Sequence, residues 1–267
     1  MSQVNLAPDI VYVSPEYDFY LSEFLVQQGN QDWSQLISAN SAHPITNNDS
    51  QCPNAEQLLL DLLNGLKNLP APNNLMTVQT QWHIYRSRLA SMHQQLTQQP
   101  NNEHPSQKAW LQGLSALIAQ QDAIENMLLL LDKCIIRNQF SHRDLNPFNL
   151  LIVNGKLNCI DFEYACSSHP LCDLASVISS HTLSSEQRHW LIENYLQQQD
   201  NLNHHAQNAI PAAVDLYWVF AVCWALQMAF DCMMLDGNII IDAASVEQTD
   251  GYLTCANQYQ ALIGRCS

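Results

Sequence analysis

Three side chains offer most of the chemistry in this sequence: Asp144, Asn149 and Asp161, within the run Phe140-Ser-His-Arg-Asp-Leu-Asn-Pro-Phe-Asn-Leu-Leu-Ile-Val-Asn-Gly-Lys-Leu-Asn-Cys-Ile-Asp161. Two carboxylates and an amide oxygen are hard donors of the kind Mg²⁺ accepts while it keeps water and phosphate oxygens in its remaining positions. The elements that must gather them are legible. Asn154-Gly155 lies between the apolar runs Leu150–Val153 and Lys156–Ile160, and a type I′ turn needs positive φ at both centres, so the spacing predicts a two-residue hairpin. Such a turn fixes the register: Val153 faces Lys156, and counting outward Asn149 faces Ile160, one residue from Asp161. His142-Arg-Asp144 precedes the first strand and arrives at that same end, and Glu163 adds a third carboxylate two residues beyond Asp161.

His142-x-Asp144-x4-Asn149, then Ile160-Asp161-Phe162-Glu163-Tyr164-Ala165, then Asp173-Leu-Ala175 resembles the aminoglycoside phosphotransferase and choline/thiamine kinase superfamily, small-molecule kinases with the protein-kinase-like fold. The resemblance implies an ATP-dependent transfer to the hydroxyl of a small metabolite, thiamine- or choline-like. Asp144 is then the base toward that hydroxyl, and Asn149 and Asp161 hold the magnesium ions that bridge the ATP phosphates. His142 and Asp173 brace the loop. The resemblance extends more softly upstream, where Tyr20-Leu-Ser-Glu23-Phe24-Leu25 is similar to the hinge whose backbone hydrogen-bonds adenine. Glu163, and Trp224 on an aromatic helix shared with Trp218, are implied substrate contacts, since aromatic rings attract a quaternary ammonium. Gln227 stands where a second tryptophan of a W-x-x-W pair is expected, which tells against choline itself.

The family pattern also includes a glycine-containing phosphate loop and a strand lysine ahead of the hinge. Here the first glycine is Gly29, and residues 1–66 contain neither Lys nor Arg. The expected organisation is therefore α+β and protein-kinase-like: residues 1–28 as a remnant of the small lobe with the hinge, and 29–267 as a mainly helical large lobe carrying a short catalytic β-hairpin. Either the chain begins late or it exists as a large lobe only. The alternative function is a catalytically impaired, truncated homologue that binds a ligand or partner. Metal-dependent hydrolysis at the same carboxylates is a weaker third reading.

Composition narrows the classes. The 267 residues carry 25 acidic against 10 basic side chains, a formal charge of −15, which argues against a nucleic-acid partner because phosphate binding needs Lys and Arg. There is no polybasic stretch for an anionic membrane, and the N-terminal residues lack a secretory signal, so the nine cysteines read as reduced thiols of a cytoplasmic protein. Cys166, His169 and Cys172 have the spacing of three zinc ligands but resemble no closed site. The apolar stretch Leu216–Phe230 is short for a membrane span and reads as a buried helix.

Elsewhere the pattern predicts two strands flanking a turn at Ser14-Pro15-Glu16, a loop over 40–53, and a helix after Asn54 with Gln57 completing its cap. Further helices are expected over 81–97, continuously over 106–135, and from Ser184 or Ser185 through Gln199, with 98–107 as an exposed connection. Pro211 is read as the first-turn proline of the Trp218/Trp224 helix, and Asp173 equally as a helix N-cap.

Overall fold

The computed structural model describes residues 6–16, 18–27, 32–37, 54–98, 104–235, 238–239 and 243–265. The elements run β1 (Ile10–Val13), β2 (Tyr20–Ser22), α1 (Trp33–Ile37), α2 (Ala55–Lys67), α3 (Val78–Thr97), α4 (Pro105–Ile118) and α5 (Gln121–Cys134). They continue with β3 (Gln139–Ser141), a 3₁₀ turn (Pro147–Asn149), β4 (Leu150–Val153), β5 (Lys156–Cys159), β6 (Cys166–Ser168), α6 (Leu171–Ser180) and α7 (Ser185–Gln197). The last are α8 (Ala206–Met233), β7 (Met234–Leu235), β8 (Asn238–Ile239) and α9 (Ala243–Gln260). The architecture is α+β: helices dominate, and the described strands form four two-stranded antiparallel sheets, β1–β2, β3–β6, β4–β5 and β7–β8. The chain divides into two compact units, 1–76 with 134–207 and 77–133 with 208–267.

The first unit is organised around α2. Its leucines recur at helical spacing, and Leu59, Leu62, Leu63 and Leu66 are all buried. That face packs on α7, β5, β3 and α6. The cap of α2 differs from the expected one. Asn54 sits at φ 64, where its side chain makes no cap bond, and Gln57 turns to Asp61 Oδ1 at 2.8 Å. The Asn54 carbonyl instead accepts from Gln57 N and Leu58 N. At α7 the expectation holds. Ser184 Oγ accepts from Gln187 N, and Gln187 returns a bond to the Ser184 backbone.

β1 and β2 flank a turn as the sequence predicts. The Ser14 hydroxyl closes it, accepting from Asp18 N at 2.8 Å and Phe19 N at 3.2 Å. The short helix α1 was not legible in advance. It packs on the 3₁₀ turn and β4, and is anchored where Trp33 Nε1 donates to His181 Nε2 at 3.1 Å. His181 is fully buried, its Nδ1–H faces the Val177 carbonyl at 3.1 Å, and burial pushes its pKa down to about 3.

That burial has a pH consequence with a definite sign. The folded state holds the imidazole neutral while the unfolded chain titrates near pH 6.5, so the stabilisation is complete above pH 6.5 and is lost as pH falls toward 3. Between pH 6.5 and 5 the expected loss from this group is about 2 kcal/mol. Thermal unfolding of the native chain and of His181→Gln at pH 7 and pH 5 checks it: the variant should show the shallower pH slope, and equal slopes would refute the assignment.

In the second unit the helix expected over 106–135 is two. α4 ends at Ile118, and α5 starts at Gln121 after Gln120 N bonds the Leu117 carbonyl in a tightened turn. No Gly or Pro marks the break, and Leu117 and Ile124, seven residues apart, are both buried, so the apolar period runs on across it. Of the connection expected over 98–107, residues 99–103 fall outside the described residues, and its end is corrected. Pro105 opens α4, and Ser106 and Gln107 are buried, Gln107 Nε2 donating to the Leu96 carbonyl. Pro211 lies inside α8, five residues past its start, instead of in its first turn. α8 is long and apolar enough to cross a membrane by length and composition, yet 72% of its apolar window is buried within the protein. The expected loop over 40–53 falls outside the described residues.

Candidate active site

The hairpin predicted from Asn154-Gly155 is present, with φ 50 and 73 at the two turn residues. Its register is Val153↔Lys156, Ile152↔Leu157, Leu151↔Asn158 and Leu150↔Cys159. One step further out, Ile160 N donates to the Asn149 carbonyl at 3.0 Å, so the ribbon opens with Asn149 beside the residue preceding Asp161. Asp161 is exposed and takes a left-handed φ of 63.

The loop carrying Asp144 reaches this end through a second, non-local ladder. β3 pairs with β6 in the register Gln139↔Ser168, Phe140↔Ser167, Ser141↔Cys166. β6 leads into α6, whose third residue is Asp173; Pro170 holds the N-cap position, so Asp173 is not a cap. The buried Asp173 carboxylate instead accepts from Ser141 Oγ (2.8 Å), His142 N (3.0 Å) and Arg143 N (2.9 Å). Arg143 sits at φ 74, a conformation unfavourable for a side chain of its size, and the hydrogen bond its backbone N–H donates to Asp173 holds it there. Its guanidinium donates to Ser168 Oγ at 2.9 Å.

His142, fully buried, ties the loop to the ribbon. Its Nε2 faces the Ile160 carbonyl at 3.0 Å, so that nitrogen carries the proton, and Nδ1 faces Asp144 N at 3.4 Å. The ring packs on Phe162, with centroids 4.6 Å apart. Asp144 then meets Asn149 directly: Asn149 Nδ2 donates to Asp144 Oδ2 at 2.8 Å and to its backbone carbonyl at 3.0 Å. With the amide nitrogen committed, Oδ1 of Asn149 is the atom left for a cation.

Glu163 and Tyr164 follow Asp161, and both are exposed. Partial desolvation raises the Tyr164 phenol pKa, reinforced by a hydrogen bond to Glu163 and by the negative fields of Glu163, Asp144 and Asp161. The phenol thus senses all three carboxylates. Sequence reasoning did not single Tyr164 out, although its place inside Asp161-Phe-Glu-Tyr-Ala165 was on view.

Upstream, Glu23 N donates to the Asp9 carbonyl at 2.9 Å, Phe24 is 89% exposed, and Leu25 is half-buried. Two residues on, the Gln27 amide pairs with both backbone groups of Ile152, accepting its N–H at 2.9 Å and donating to its carbonyl at 3.2 Å. The segment after β2 is therefore stitched to the edge of β4 by a side chain. Trp224 belongs to the second unit, 39% exposed and edge-on to Tyr252; Trp218 is buried and stacked on Tyr259.

The Cys166, His169, Cys172 spacing does not gather a metal site. His169 Nδ1 accepts from Leu171 N, its Nε2 lies 3.7 Å from Cys134 Sγ, and Cys172 Sγ lies 3.7 Å from Ser168 Oγ. Among the described residues no three His, Cys, Asp or Glu side chains cluster as metal ligands. The described cysteines are all free thiols.

Two solved structures share this arrangement of elements. A choline/ethanolamine kinase family protein from Mesorhizobium loti superposes with a TM-score of 0.56 at 13% identity, covering 97% of this chain and 78% of that one. Choline kinase LicA from Streptococcus pneumoniae gives 0.52 at 13% identity, covering 97% and 77%. The fold is thus protein-kinase-like. In sequence, Protein LicA of Haemophilus influenzae is 36% identical over 85 residues; that stretch is 32% of this chain and only 29% of LicA. The model of the phosphotransferase enzyme family matches residues 36–231. The chain belongs to that family.

Proposed function

We propose that this chain transfers the γ-phosphoryl group of ATP to the hydroxyl of a small cationic alcohol, choline-like or thiamine-like. The observation that carries the reading is the joint at the open end of the β4–β5 ribbon, where Asn149 bonds the Asp144 carboxylate through its side chain and Ile160 through its backbone. One base and two oxygen donors are thereby held by a single residue pair.

In this reading Asp144 accepts the proton of the acceptor hydroxyl as that oxygen bonds to the γ-phosphorus. The bond from phosphorus to the β,γ-bridging oxygen breaks, ADP departs, and the proton on Asp144 passes to water with the phosphomonoester released. His142 and Asp173 hold the loop so that the carboxylate faces outward, a task of positioning more than of chemistry. The donor set fits Mg²⁺: the free Oδ1 of Asn149 and the exposed carboxylate of Asp161 are both hard oxygens, and their small number suits an ion that keeps water and phosphate ligands. Bound there, the ion would neutralise phosphate charge. Glu163 supplies negative charge for a cationic acceptor. The backbone of Glu23, Phe24 and Leu25 is the proposed adenine contact.

The second reading is a homologue that binds a ligand without turnover. ADP release with Mg·ATP against choline, ethanolamine, thiamine and an aminoglycoside separates the two. The kinase reading expects at least one of these alcohols to raise ADP release tenfold over the acceptor-free rate. Calorimetric binding of Mg·ATP or of an acceptor, with no acceptor-dependent ADP, would install the second reading instead.

A further inference from the structure

We propose that Asn146 is a positioning residue that fixes the plane of the Asp144 carboxylate; the proposal rests on Asp144 being the base of the reaction above. Asn146 opens the 3₁₀ turn with φ −78 and ψ 159, and its Oδ1 accepts the Phe148 N–H at 2.9 Å. A backbone N–H can only donate, so the orientation of the amide is settled and Nδ2 must face the other way. There it donates to Asp144 Oδ1 at 2.9 Å. Asn149 Nδ2 holds the opposite oxygen, Oδ2, at 2.8 Å. Each carboxylate oxygen thus has one amide N–H, supplied from opposite ends of the same turn.

The carboxylate torsion of an aspartate is broad and nearly two-fold, so a single donor leaves the group free to swing about that contact. Two donors on two oxygens define a plane and leave one lone pair on each oxygen facing outward. Misplacement of a reacting group by about 1 Å can cost 10²-fold in rate, which sets the scale of what the clamp protects. Asn is suited to the position by its chemistry. Serine has one short hydroxyl in place of the amide's two arms, so an oxygen turned to accept the Phe148 N–H stands a bond length short of Asp144, aspartate would set a second carboxylate against Asp144, and glutamine places its amide a methylene too far. Pro147 at the next position fixes the turn on which this geometry depends.

The test compares Asn146→Ser, which keeps a short acceptor for Phe148 N–H and removes the amide N–H that reaches Asp144, with Asn146→Ala, which removes both. If the clamp sets the base, both variants lose ~10- to 100-fold in kcat with nucleotide KM within about twofold of the native value. The Asn146→Ser melting temperature should also stay close to native. Native kcat in Asn146→Ser with loss only in Asn146→Ala would overturn the inference and leave the residue a turn former. Failure of the underlying reading has a different signature, because Asp144→Asn would then leave ADP release unchanged. A second measurement requires no turnover. The side-chain ¹⁵N–¹H resonances of Asn146 should shift, and their solvent exchange accelerate at least fivefold, in Asp144→Ala; unaltered resonances would show that no clamp exists.

Discussion

Asp144→Asn is expected to lower phosphoryl transfer by ~10³-fold while leaving Mg·ATP affinity within about twofold, and Asp161→Ala to do the reverse in binding, weakening Mg·ATP by ~100-fold or more. The two carboxylates stand at one end of one ribbon, yet the proposed reaction assigns them different tasks. Asp144 is gripped by two amide N–H groups, one on each oxygen, which suits a group that must keep its orientation while a proton arrives. Asp161 lies past the last ribbon pairing, exposed and in left-handed backbone, as a cation ligand facing solvent would be. Removing groups that merely orient a metal ligand weakens metal binding 10- to 100-fold, so removing the ligand itself sets the lower bound used here. Calorimetry with Mg·ATP, run beside single-turnover ADP formation, reads both quantities. Unchanged Mg·ATP affinity in Asp161→Ala would refute the metal assignment, and undiminished turnover in Asp144→Asn would refute the base.

Asp173→Ala is expected to cost about 3–5 kcal/mol of stability, the range for breaking a buried charged contact and leaving its partners unpaired. The carboxylate is buried and accepts from three donors on consecutive residues, Ser141, His142 and Arg143. Two of those are backbone N–H groups that no rotation can take to water. Asp173→Asn should fall between the native chain and the alanine variant, since Oδ1 can still serve Ser141 and Arg143 while the amide nitrogen opposes the His142 N–H. For a chain of this size the alanine change corresponds to a fall of ~6–15 °C in melting temperature. A loss below 1 kcal/mol would mean that the loop holds its shape without Asp173.

The site was legible where its geometry is local. Asn154-Gly155 dictated the turn, the turn dictated the register, and the register placed Asn149 against Ile160 as found. Asp173 was readable only through family resemblance, because its partners lie about thirty residues upstream and the β3–β6 ladder that brings them close is three residues long. A ladder that short has no alternation to detect. Asn146 was readable in principle, since Asn-Pro followed by a bonded N–H is a local turn signal, but its second bond to Asp144 depends on the loop already being folded. The helix errors have a common cause. Apolar periodicity reports which face is buried, and that face continues through the α4–α5 break and past Pro211, so the period carries no mark of either feature.

The way α2 finds its partners bears on how the chain is made. Its leucine face is covered by β3, β5, α6 and α7, elements that emerge from the ribosome roughly 70 to 130 residues later. At ~5–20 residues per second, that helix waits on the order of 5–30 s with an oily stripe uncovered. Nascent chains of this protein should therefore be clients of holding chaperones during synthesis, and slowing translation should lower the soluble yield in cells depleted of them.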